Sequence, residues 1–152
     1  MRLLRSAVVL GLSLSLLALG PCSRIPGGRL TGEVASELPN DWSFVDELGT
    51  CALETRPSFP HSVTVACYSA GGELYVGAMN GANKRWPKYV LEDTRVRYRA
   101  GDRIYELVAT RIADETARNR IFRARAGAGG REVAQDLEAP AHYWIFHLGP
   151  RS

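Results

Sequence analysis

The sequence predicts a mainly β domain, an antiparallel barrel or sandwich of about six strands with two or three short helices appended. Short runs of alternating apolar and polar residues recur between residues 49 and 112. Hairpin-type joints separate several of them, Ser69-Ala70-Gly71-Gly72 and Ala100-Gly101-Asp102 among these. With 152 residues, 45% hydrophobic and 23% charged, the chain has the size and composition of one globular domain with its own core.

Taken in order, residues 30–34 form a candidate short strand, and Trp42-Ser43-Phe44-Val45 supplies two aromatics to pack onto the domain. Residues 49–55 place Cys51, Leu53 and Thr55 on one face of a strand. The loop Arg56-Pro57-Ser58-Phe59-Pro60-His61 follows, because its two prolines cannot continue a ladder. Ser62 to Tyr68 is the returning strand, with Val63, Val65 and Cys67 on one face. A hairpin about this loop puts residues whose numbers sum to near 118 opposite one another, so Cys51 faces Cys67. Two readings stand for that pair: a disulfide, as suits an exported chain, or two small buried thiols.

Glu73 to Ala78 is the central strand, and the stretch after it holds the chemistry of greatest interest. Met79-Asn80-Gly81-Ala82-Asn83 has the small residues of a tight turn, and Asn83 is a good N-cap for a short helix opening on Lys84-Arg85-Trp86. Two readings stand for this stretch: a plain strand-turn-helix connection with a solvated basic face and a core Trp86, or a site whose free N–H groups, two cations and flat ring suit a phosphate carried on an aromatic headgroup. Residues 94–99 then alternate Arg95, Arg97 and Arg99 against Val96 and Tyr98, a pattern expected of a solvated sheet face, with a ligand platform as the other reading. Residues 103–112 return from it. Asp114 caps a helix over Glu115–Ala126 with a narrow Ala117, Ile121, Ala124 stripe, stopped by Gly127, Gly129 and Gly130. Tyr143 to Leu148 closes the sheet.

The first 21 residues read as an export signal. Met1 to Arg5 is cationic, and Ala7–Leu19 is an apolar run too short to span a bilayer comfortably. Leu19-Gly20-Pro21-Cys22 is similar to the lipobox of bacterial lipoproteins, with Pro21 where that pattern has a small residue. The expectation is a lipid on Cys22, a tether over residues 22–29 and a domain over 30–152. Localisation would then be the cell envelope, membrane-anchored, or otherwise periplasmic or extracellular.

The net charge of +3 falls to +1 without the leader, which takes Arg2 and Arg5 with it, and this speaks against nucleic acid as a partner. Charge is uneven, however. Residues 84–152 carry fourteen Lys and Arg against nine acids, so a small anion could find a positive side. No zinc-type Cys/His spacing, phosphate-binding Gly-rich loop with Lys-Ser/Thr, or Gly-x-Ser-x-Gly elbow is present, and His61, His142 and His147 are scattered. Any chemistry would have to be carried by a cofactor.

The order of Leu53-Glu54-Thr55-Arg56, Ser62-Val63-Thr64-Val65, Gly72-Glu73-Leu74-Tyr75-Val76, Lys84-Arg85-Trp86, Asp93-Thr94-Arg95-Val96-Arg97 and Gly101-Asp102-Arg103-Ile104-Tyr105 resembles the flavin-binding split β-barrel superfamily. That superfamily includes pyridoxamine-phosphate-oxidase-like proteins and deazaflavin-dependent nitroreductases. The resemblance implies a six-stranded Greek-key barrel, FMN or a deazaflavin as cofactor, hydride-transfer oxidoreductase chemistry on a small molecule, and a possible homodimer. By position it assigns cofactor binding to Arg56 and Ser62 from the hairpin and to Asn80, Gly81, Lys84, Arg85 and Trp86 from the turn and helix. The alternative is a cofactor-free envelope lipoprotein whose barrel binds haem, a small anion or a protein partner.

Overall fold

The computed structural model describes residues 27–151; the leader and Cys22 lie outside the described residues. Seven strands and three helices follow in chain order: β1 (Glu33–Val34), α1 (Val45–Leu48), β2 (Thr50–Thr55), β3 (His61–Ala70), β4 (Glu73–Ala78), α2 (Arg85–Glu92), β5 (Arg95–Ala100), β6 (Arg103–Arg111), α3 (Glu115–Ala126) and β7 (Trp144–Pro150). The sheet order is β1-β6-β5-β2-β3-β4-β7, and β6 also pairs with β7. Strands β2 to β7 therefore close into a six-stranded antiparallel split barrel, and β1 adds to it through a short parallel pairing with β6. Closure leaves no long unpaired edge.

Alternation along each strand fills the interior. Leu53, Val65, Val76, Val96, Tyr98, Leu107, Phe146 and Leu148 point inward and are buried. One end is stoppered by the segment before β2. Trp42 sits edge-on to Tyr105 at 4.9 Å and to Tyr98 at 6.0 Å, and its N–H donates to the Gly72 carbonyl at 2.9 Å. The single turn of α1 is too short to show helical periodicity. It is fixed from outside by Asp46, whose carboxylate accepts from the Ser69 N–H at 2.6 Å and hydroxyl at 2.7 Å.

The β2–β3 register differs from the expectation by two residues. Cys51 lies opposite Val65, and Cys67 lies opposite Val76 of β4. His61 joins the ladder against Thr55, which tightens the turn to residues 56–60. A two-residue shift keeps every side chain on its own face. Cys51 and Cys67 thus remain on the interior face as diagonal neighbours, joined by a disulfide with their Cα atoms 5.9 Å apart.

The arginine row is also not the solvated face expected of it. Arg97 donates to Glu54 at 3.1 Å and to the Leu30 carbonyl at 2.9 Å, while Glu54, only 2% exposed, accepts from the Leu30 N–H at 2.6 Å. The chain before β1 is thereby fastened across β2 and β5. Arg95 does stay outside, paired with Asp93.

A second cluster lies outside the barrel, where α3 covers β3 and β4: Tyr68, Tyr75, Ile121, Tyr143 and Ile145. Asp114 caps α3 by accepting from the Ala117 N–H at 2.7 Å. Of the expected stripe Ile121 is buried and Ala124 exposed; the buried Asn119 accepts from the Ala139 N–H instead. Arginines of the same helix pin the chain leading to β7. Arg118 donates to the Pro140 carbonyl at 2.8 Å, Arg123 to Leu137 at 2.8 Å, and Arg125 to the Tyr143 hydroxyl at 2.5 Å.

Candidate functional site

The turn between β2 and β3 and the first turns of α2 form one cationic, aromatic surface. Arg56 begins the turn at φ +59°, a left-handed conformation that a non-glycine residue adopts only when its surroundings hold it there. The Phe59 N–H closes the turn on the Arg56 carbonyl at 2.9 Å, and Thr55 Oγ1 donates to the His61 carbonyl at 3.2 Å. Pro57 and Pro60 have little freedom of their own, so the loop is stiff. The result is that the Arg56 guanidinium lies between two rings, 4.8 Å from the centre of Phe59 and 4.9 Å from that of Tyr89. A cation stacked in this way keeps its in-plane N–H donors available.

Helix α2 supplies the other wall. Its helical phase sends Trp86, Pro87 and Val90 inward and leaves Arg85 and Tyr89, one turn apart, on the outer side. His61 stands edge-on to Tyr89 at 5.4 Å. Partial burial, then Arg85, then Arg56 hold the His61 imidazole below its ordinary pKa. Both guanidinium groups therefore act on one ring. Among the described residues neither Arg56 nor Arg85 forms an ion pair. Two uncompensated cations, a strained stiff turn and two aromatic faces make a place for an anion attached to a flat group.

The residues expected at a cofactor site divide sharply. Arg56 and Arg85 come together, and Lys84 is exposed immediately before α2. Lys84, not Asn83, occupies the N-cap position of α2, and no side chain caps it; Asn83 ends a 3-10 turn over Gly81–Asn83. Asn80 is exposed at φ +53°, which asparagine tolerates well. Three expected residues serve the fold as they stand. Trp86 is buried against Phe146 at 5.2 Å and offers no free face. Gly81 lies under Trp144; a Cβ there would come within 2.6 Å of its ring Cδ2 and 2.7 Å of its Cβ. Ser62 is buried, and its hydroxyl accepts from the Gly27 N–H at 3.0 Å. Phe59, His61 and Tyr89 were not expected. The sequence signal for Tyr89 is its i+4 relation to Arg85; Phe59 in the turn and His61 at the start of β3 belong to a Pro-containing stretch whose spacing says nothing about where they point.

No family model matches the sequence, and no curated protein does. Solved structures do match in fold. A putative pyridoxamine 5'-phosphate oxidase from Listeria innocua superposes with a TM-score of 0.53 at 16% identity, covering 72% of this chain and 90% of that one. A conserved hypothetical protein from Mycobacterium tuberculosis superposes with a TM-score of 0.58 at 15% identity, covering 78% and 87%. At these identities the likeness establishes the split β-barrel fold.

Proposed function

We propose that the Arg56, His61 and Arg85 cluster holds the phosphate of FMN or a phosphorylated deazaflavin, and that the protein is an exported, lipid-tethered oxidoreductase acting on a small molecule. The observation that carries this is Arg56, at positive φ with its guanidinium against Phe59 and Tyr89, beside Arg85, neither of them ion-paired among the described residues. Arg56 and Arg85 fit a phosphate by charge and donor geometry, with Lys84 as a further exposed cation. Phe59 and Tyr89, rather than the buried Trp86, fit the flat group. A flavin-type cofactor supplies hydride transfer when bound; the chain supplies orientation and charge. That fold-neighbours include a putative pyridoxamine 5'-phosphate oxidase is consistent with this reading.

The alternative is a cofactor-free envelope lipoprotein that binds a small anion, haem or a protein partner. It draws on the residues already committed elsewhere, Trp86 to the core and Ser62 to Gly27. An absorption titration with FMN separates the two. The expected result is a shifted flavin band with micromolar or tighter binding, weakened in Arg56→Ala and in Arg85→Ala by the roughly 1.5–3 kcal/mol of a charge-assisted contact. A folded protein with a flat titration would overturn the flavin reading in favour of the alternative.

A further inference from the structure

Where α3 meets the β3–β4 hairpin, at the opposite end of β3 from His61, the two leave a cleft of about 340 Å³, at the lower end of small-molecule sites. Its walls are apolar: Ala70, the ring of Tyr75, Ile121 and Ala124. Two charged side chains also line it, Arg120 from α3 and Glu73 from β4. Arg120 differs from its neighbours on α3. Arg118, Arg123 and Arg125 are spent on carbonyls and on the Tyr143 hydroxyl, whereas Arg120 makes no hydrogen bond or ion pair among the described residues. Glu73 Oε2 lies 2.8 Å from His147 Nε2, and its side chain is 62% exposed. Both charges act on the Tyr75 hydroxyl from opposite signs: burial and Glu73 push its pKa up, and Arg120 pulls it down. A guanidinium and a carboxylate thus line one apolar cleft together with the Tyr75 ring.

We propose that this cleft is a second binding site, for a small zwitterion with an apolar body, the apolar α-amino acid class. The ligand's carboxylate meets Arg120, its ammonium meets Glu73, and its side chain lies against Ile121, Ala124 and the Tyr75 ring. His147 engages only Oε2 of Glu73, so a monoacid would leave Oε1 without a partner from the ligand and a monoamine would leave Arg120 so, which sets the class.

The test uses the full chain, methyl-labelled at isoleucine and alanine, titrated by NMR with L-phenylalanine, then with 3-phenylpropanoate and 2-phenylethylamine. Saturable shifts at Ile121 and Ala124 are expected with L-phenylalanine, weakened roughly tenfold or more in Arg120→Gln and for each singly charged analogue. Arg120 is exposed and holds no bond among the described residues, so the substitution removes no contact of the fold. Absence of a saturable shift would overturn the site. Undiminished binding in Arg120→Gln would overturn the role of its charge, and equal binding of either analogue would overturn the zwitterion class.

Discussion

Removing Arg97 should unsettle the whole hairpin side of the barrel. In Arg97→Met the buried Glu54 carboxylate keeps the Leu30 N–H at 2.6 Å but loses its one counter-charge among the described residues, and the Leu30 carbonyl loses a donor at 2.9 Å. Breaking a buried pair from one side costs about 3–5 kcal/mol. Arg97 is 15% exposed, so water reaches part of the site, and the lower end, about 3 kcal/mol, is the appropriate figure. For a domain of this size that corresponds to a fall in Tm of roughly 12 °C. Glu54→Gln retains an acceptor for Leu30 and should cost less, about 1–2 kcal/mol. Urea unfolding of the two single variants and the double variant gives the coupling directly, expected near 2 kcal/mol. A loss under about 1 kcal/mol in Arg97→Met, or no coupling, would mean that the pair is an ordinary surface contact and that the N-terminal segment is not fastened through it.

Three further outcomes follow from the geometry. The Cys51→Ala/Cys67→Ala variant should lose about 3 kcal/mol, the cost of opening a loop of this length, and the denatured unreduced wild type should show no free thiol from this pair. Gly81→Ala should lower stability by about 1–3 kcal/mol through Trp144 while leaving FMN affinity of the folded protein unchanged; lost affinity at unchanged Tm would instead put Gly81 against the ligand. His61 gives opposite pH signs for ligand and for fold. A bound phosphate favours the charged imidazole, so affinity should rise as pH falls through 6.5 and below, and His61→Gln should flatten that rise. Without ligand the His61 pKa is depressed below its unfolded value of 6.5, so its share of stability is complete above 6.5 and declines as pH falls below it.

The barrel was legible because several strands, β5 most clearly, carry a period of two, the last is a β-prone run of aromatic and branched residues, and the β3–β4 and β5–β6 joints carry glycine. Register was less so. Nothing in Arg56-Pro57-Ser58-Phe59-Pro60-His61 says how many residues a turn will leave unpaired, and His61 entered the ladder. Because the resulting shift was two residues, the buried faces and the cysteine pair survived it. At the site, Arg56 and Arg85 were readable as cations in loop and helix start. Trp86 stands where the plain reading of the sequence has it, in the core: with Val90 four residues on, it shares the apolar side of α2, while Arg85 shares the outer side with Tyr89. The pairing of Arg97 with Glu54 was invisible, because a cation alternating along a strand looks alike whether water or a buried carboxylate faces it.

The most direct measurement compares FMN with riboflavin on the wild type and on Arg56→Ala/Arg85→Ala, by fluorescence titration at fixed salt. If the cluster holds the phosphate, FMN binds the wild type at least about tenfold more tightly than riboflavin, and the double variant binds the two alike. Equal affinity of the wild type for FMN and riboflavin, or a phosphate preference that survives in the double variant, would contradict the assignment.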